Sequence, residues 1–333
     1  MTAGRPGAGA RRDHGGALDA ARARWGGERA SWLDLSTGIN PVPWPEAEGR
    51  APGLRAPQRE AWTALPDEGA SARLIAAARR AWRAPEGAAV LPLPGASAAI
   101  ALLPRLLPPG RAAIPGPTYN EHAAAFVAAG WSVADALEGR PDAVVAVHPN
   151  NPDGRLWRAA ELPPARLLVL DESFADLALD ASLVALAARP GVVVLKSLGK
   201  FWGLAGLRLG AAIGDPALLA RLAEGLGPWP VSGPALALGA EALEDAAWAD
   251  AARARLARDA RRLDALLAPW SEPAGGTDLF RLRRVPDAGA FADGLAEGRV
   301  LVRRFPWSDR LVRVGLPGPD GWARLEAALA RLA

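Results

Sequence analysis

The chain contains no cysteine. That excludes disulfides and thiolate metal sites, and it agrees with a reducing compartment. The three histidines, His14, His122 and His148, are far apart and match no metal-ligand spacing, so no metal site is expected. Long apolar runs are also missing. No stretch approaches the roughly 18 residues of a membrane helix, and no membrane partner is expected. Charge of one sign does not dominate: 39 Lys plus Arg face 36 Asp plus Glu, a formal net charge of +3. The two signs are interspersed, without the basic stripe that follows nucleic acid. Amines are scarcest of all. Only Lys196 and Lys200 are lysines, and every other basic side chain is an arginine, which cannot lose its proton at working pH. Tyrosine occurs once, at Tyr119.

What is present bounds the architecture. A chain of 333 residues, half of them hydrophobic, exceeds the usual single domain and can bury a sizeable core. Residues 1–13 read as a disordered Gly/Arg-rich tail with no secretory apolar segment, and the expected location is the cytoplasm. Residues 14–45 form an N-terminal arm, and 42–57, rich in Pro and Gly, read as loop. Ala70 to Trp82 is an amphipathic helix with Leu74, Ile75, Ala78 and Trp82 on one side.

From about Ala88, strand, turn and helix repeat. Short apolar runs at 89–91, 112–114, 143–147, 166–170, 192–195 and 209–213 are bounded by turn residues. Such runs suit strands covered on both faces, and their alternation with helices predicts an α/β fold with a mainly parallel sheet. That large domain spans 46–232. Residues 233–333 follow as a smaller α+β domain: helices over 234–270, then strand (279–285), helix (288–297), strands (300–305 and 310–314) and a last helix (321–332).

Polar residues gather where the central strands end. Asn151, Asp171 and Lys200 each fall at or just past a predicted strand's carboxyl end, the edge at which open parallel sheets bind ligands. A helix opening at Gly95-Ala96-Ser97 suits an anion. Ser197 and Arg208 flank the lysine, and Tyr119 follows a Pro-Gly-Pro turn. Taken singly, each has a plain alternative: a solvated charge pair for the lysines, an ordinary Asn-Pro turn, a core tyrosine.

In this order, Asn151-Pro152-Asp153-Gly154, Asp171-Glu172-Ser173-Phe174 and Ser197-Leu198-Gly199-Lys200 through Arg208 resemble the fold-type I pyridoxal-phosphate enzymes. The nearest branch holds the histidinol-phosphate aminotransferases and threonine-phosphate decarboxylases, and the likeness covers roughly residues 14–332. It implies pyridoxal 5'-phosphate as cofactor and a homodimer. Lys200 would be the amine that joins the cofactor aldehyde, which needs a neutral amine; burial and nearby cations lower a lysine's pKa from its free value of about 10.4. Lys196 lacks the serine-x-x-lysine context and is the weaker candidate. Asp171 would pair with the pyridine nitrogen, Asn151 with the ring oxygen, and Tyr119 would stack on the ring. Ser97, Ala96, Ser197 and Arg208 would hold the phosphate. Arg313 matches the family's carboxylate-clamping arginine, with Asn40, His14 and Gly15 as further substrate contacts. For Arg303, Arg304 and Arg310 a solvated strand face is the alternative.

Local likeness favours the decarboxylases of cobalamin biosynthesis. His14-Gly15-Gly16, Ser36-Thr37-Gly38-Ile39-Asn40-Pro41 and Val302-Arg303-Arg304-Phe305 resemble their versions, and Phe174 stands where the aminotransferases carry a tyrosine. The implied reaction is decarboxylation of L-threonine O-3-phosphate to (R)-1-aminopropan-2-yl phosphate. An aminotransferase acting on a phosphorylated amino substrate is the alternative, and a non-catalytic cofactor-binding partner a further one. In one departure, Leu65 precedes Pro66-Asp67 where many relatives have a tyrosine that reaches the partner's cofactor phosphate. That contact is then absent or supplied by another residue.

Overall fold

A computed structural model describes residues 13–46, 57 and 59–332. The expected tail, apart from Asp13, and most of the 42–57 loop lie outside the described residues. The described residues fall into two compact units, one comprising residues up to 38 with 263–274 and 280–332, the other running from 39 to 262 with 275–279.

The second unit is built on a seven-stranded sheet. Its order is Ala89–Leu93, Gly210–Gly214, Val192–Ser197, Leu167–Asp171, Ala143–Val147, Arg111–Ala113, Ser132–Ala134. The last five run parallel, whereas Gly210–Gly214 is antiparallel to both of its neighbours. All five residues of Ala143–Val147 and of Leu167–Asp171 are buried. Alternate residues serve opposite faces. Ala143, Val145, Leu167, Val169, Val193 and Leu195 join one core with Ile100, Phe126, Leu219 and Leu222 from helices Ala96–Leu102, Asn120–Ala128 and Pro216–Leu226. Each such buried valine or leucine contributes roughly 1.5–3 kcal/mol, and this fixes the strand ends that carry the polar residues. Helix Ala96–Leu102 stops where Pro104 cannot continue the ladder, and a 3-10 turn, Leu103–Arg105, follows.

An antiparallel sheet ordered Arg303–Phe305, Ser308–Gly315, Phe280–Arg284, Glu272–Thr277 belongs to the first unit except for residues 275–277. Leu33–Asp34 pairs in parallel with Val300–Leu301. The single strand expected over 300–305 is therefore two pieces serving two different sheets.

Candidate active site

Register explains why distant residues meet. Val147 pairs with Asp171, and Asp171 with Leu195, so three strand ends lie side by side. Beyond Leu195 the chain turns back, and Ser197 pairs with Gly210. The lysine turn is thus the loop of a hairpin at the carboxyl edge of the parallel strands. A cavity of about 140 Å³ opens there. Ala96, Ser97, Tyr119, Asn151, Asp171, Ser197, Lys200 and Arg208 all line it, with Ser173 and Phe174.

The two lysines have different surroundings. Lys196 is 0% exposed, and its ammonium donates to Glu172 at 2.5 Å. Glu172 also accepts the Ser182 hydroxyl and the Leu183 amide, each at 2.6 Å. A buried pair with its remaining lone pairs hydrogen-bonded is a structural brace. Lys200 lines the cleft, with its Nζ 5.5 Å from the centre of the Phe174 ring.

Asp171 is buried at the strand end. Burial alone pushes its carboxyl up, but the hydrogen bond and charge of His122 and two bonds from Ser173 outweigh that, and it lies below the usual carboxylate range. His122 Nε2 meets Asp171 Oδ2 at 2.8 Å, and Oδ1 accepts the Ser173 hydroxyl at 2.6 Å and its amide at 3.0 Å. With the carboxylate ionised, the imidazole Nε2–H is the donor. Sequence reasoning did not assign His122 this role. The available signal was its spacing from Tyr119, one helical turn, and the two rings meet edge-on at 6.0 Å.

Arg208 has a left-handed backbone, φ 53°, and its guanidinium donates to Ala205 C=O at 3.1 Å. It lies against the start of helix Ala96–Leu102. A Cβ on Gly95, whose φ is +81°, would come within 2.7 Å of Arg208 Nη2. Only glycine allows both that conformation and that approach. A guanidinium, two hydroxyls and leading helix amides are the donors an anion needs.

The remaining expected contacts are not among the residues that line this cavity. In the first unit, Arg313 is buried and donates to Ser36 C=O at 2.6 Å. Desolvation, then the Arg303 charge, push its guanidinium down to about 9, against a pull upward from Asp34. It stays protonated at neutral pH. The His14-Gly15-Gly16 arm is tied to the same turn, the Gly16 amide donating to Ser36 Oγ at 2.7 Å. Arg303 is not on a solvated face: it donates to the Asp13 carboxylate at 2.7 Å and to the Asp13 carbonyl at 2.9 Å. Asn40, in the second unit, does not line the cleft. It is 2% exposed, and its side chain bonds to Phe201, Val42 and Arg255.

An amine in a hairpin at the carboxyl edge of an α/β sheet, sharing a cleft with a carboxylate held anionic, is the arrangement of one large class. The chain belongs to the aminotransferase class I and II family, whose profile matches residues 68–329. Within it, the chain is 42% identical over 339 residues to a threonine-phosphate decarboxylase from Pseudomonas aeruginosa, covering 95% of this chain and 97% of that protein. A threonine-phosphate decarboxylase from Sinorhizobium sp. is 41% identical over 335 residues, covering 96% and 98%. A solved histidinol-phosphate aminotransferase from Sinorhizobium meliloti, in complex with pyridoxal-5'-phosphate, matches with a TM-score of 0.77 over 95% of each chain. Its sequence identity is 16%, so that likeness is one of fold.

Proposed function

We propose that this protein decarboxylates L-threonine O-3-phosphate to (R)-1-aminopropan-2-yl phosphate, with pyridoxal 5'-phosphate as cofactor, in cobalamin biosynthesis. The observation that carries this reading is the 41–42% identity to threonine-phosphate decarboxylases over nearly the whole chain.

The residues of the cleft fit that cofactor, because Gly95 leaves room for Arg208 beside the helix start and Asp171 is held anionic. When bound, pyridoxal phosphate supplies a ring that accepts the electrons left on the substrate α-carbon as carbon dioxide departs. Lys200 is the amine that anchors it. The Asp171 carboxylate, fixed by His122 and Ser173, would keep a proton on the ring nitrogen. The Asn151 side chain would donate to the ring oxygen, and Tyr119 would cover the ring. Arg208, Ser97, Ser197 and the Ala96 amide would take the phosphate. Arg313 binds the substrate carboxylate, with His14 and Gly15 contributing to the substrate site. Lys200 Nζ, in the same cleft, would be the group to return a proton to the α-carbon.

A homodimer in the cytoplasm goes with this reading. Among the described residues no helix is long and apolar enough to cross a membrane.

The decisive assay supplies threonine phosphate and measures carbon dioxide with 1-aminopropan-2-yl phosphate, beside histidinol phosphate with 2-oxoglutarate. We expect turnover in the first pair, lost in Lys200→Ala. Turnover only in the second pair would make the protein an aminotransferase and sink the proposal.

A further inference from the structure

The segment Asn40-Pro41-Val42-Pro43-Trp44 runs along the lysine turn. Proline has no N–H, so only residues 40, 42 and 44 can donate from this backbone. The Asn40 amide donates to Lys200 C=O at 3.0 Å, and the Trp44 amide to Trp202 C=O at 3.0 Å. The carbonyl between them, of Phe201, accepts from the Asn40 side chain, Nδ2–H, at 2.8 Å. The carbonyls of Lys200, Phe201 and Trp202 are therefore all held by one strip of chain. The remaining amide, of Val42, donates to Asn40 Oδ1 at 3.0 Å, and Arg255 Nη2 donates to the same oxygen at 2.9 Å. Arg255 is itself buried on helix Ala246–Leu267. The strip lies close: a Cβ on Gly203, φ +70°, would come within 2.7 Å of Pro43 Cα. An asparagine side chain can donate and accept at once, and here it does both, with the turn on one side and the helix on the other.

We propose that Asn40, held by Arg255, is a positioning residue for Lys200. Its side chain fixes the Phe201 carbonyl, and with it the direction in which the Lys200 amine enters the cleft. The inference rests on reading Lys200 as the reacting amine. A reacting group held in place by a second layer of hydrogen bonds meets its partner at the right angle more often. Asn40 touches no reacting atom in this scheme and acts only through the turn.

The test uses the cofactor-free protein and two ligands. Pyridoxal phosphate is captured at Lys200, trapped with borohydride and located by peptide mass. Pyridoxine phosphate carries an alcohol where pyridoxal phosphate has its aldehyde, so it can bind but not be captured. The variants are Asn40→Ala, Asn40→Asp, which keeps the acceptor and the shape but loses the donor, and Arg255→Met. We expect the capture rate to fall roughly tenfold in both Asn40 variants and several-fold in Arg255→Met, as for loss of one buried hydrogen bond. Affinity for pyridoxine phosphate should stay within about twofold, because the cleft donors are untouched. Capture at the unaltered rate in all three variants, or equal loss of capture and alcohol binding, would overturn the inference. If the Asn40 variants fail to fold, Arg255→Met decides alone on the same two readouts. Absence of capture at Lys200 in the unaltered protein would overturn the reading of Lys200 and this inference with it. Normal capture there with unchanged variants overturns this inference alone.

Discussion

Asp171 ends its strand and Asp176 lies in the 3-10 turn Ala175–Leu177 just beyond, both buried, yet their carboxyls shift in opposite directions. Asp171 has donors on both oxygens. Asp176 accepts two indole N–H groups on Oδ1, from Trp82 at 2.8 Å and Trp202 at 3.2 Å, while its buried Oδ2 has no hydrogen-bond partner. Burial therefore wins at Asp176 and raises its pKa, against opposing pulls from Lys196, the two indoles and Arg253. The consequences for stability have opposite signs. The contribution of Asp171 is complete above the ordinary carboxylate range and is lost as pH falls through its depressed value. The contribution of Asp176 is complete below that range and is lost as pH rises through its raised value. We expect Asp176→Asn to flatten the decline of the unfolding temperature above about pH 4, and Asp171→Asn to flatten the decline on the acid side. A melting series against pH checks both, and unchanged slopes would refute the assignment. At His122, substitution by Ala leaves Asp171 with burial less opposed. A fall of roughly tenfold to a hundredfold in kcat is expected, the cost of a lost hydrogen bond to a buried charge. A steady-state rate measured alongside the melting curve separates that from unfolding.

At the scale of elements, legibility followed burial. The strands Ala143–Val147 and Leu167–Asp171 could be read directly, because an unbroken apolar run of this length between turn residues is too short for a helix and suits a strand buried on both faces. Their ends placed Asn151 and Asp171, and the lysine motif placed Lys200, so most of the cleft could be read from sequence as well. Glu272–Thr277 could not. Its Glu-Pro-Ala-Gly-Gly-Thr sequence reads as loop, and it is a strand because it sits at the sheet edge, where Pro and Gly are tolerated. Helix Pro216–Leu226 follows the last predicted strand of the large domain, and its signals are local ones: Asp215 caps its Ala217 amide and Pro216 opens it. Asn40 is the instructive case at the site. Its motif suggested a substrate contact, and nothing in the linear order says that Phe201, Val42 and Arg255 already engage its side chain. The junction of the helix at Ala96 with the lysine hairpin gives a further test. Gly95→Ala places a methyl against Arg208, in a backbone conformation that costs roughly 1 kcal/mol or more outside glycine. Cofactor affinity, followed by absorbance titration, should weaken at least about fivefold, while the Lys200 capture rate at saturating cofactor is preserved. Unchanged affinity would show that the helix start does not hold the phosphate.

For the whole molecule, association is the open property that can be tested. Trp62 and Leu65 are 67% and 66% exposed on and just after helix Arg59–Thr63, and large apolar side chains this open suit a surface covered by another copy. Sedimentation velocity should show a dimer, and Trp62→Arg with Leu65→Arg should shift it toward monomer by roughly tenfold or more in dissociation constant. A dimer indifferent to both changes would place the interface elsewhere. The scarcity of amines has a wider consequence. Sugars and metabolic aldehydes condense with exposed lysines on most proteins. Here Lys196 is sealed in its ion pair, and the other basic side chains are guanidinium groups. Adventitious glycation of lysine is thus confined to Lys200, the one position where a bound cofactor would already occupy the amine. Among the lysines, the one left to meet a stray aldehyde is the one that would already hold one.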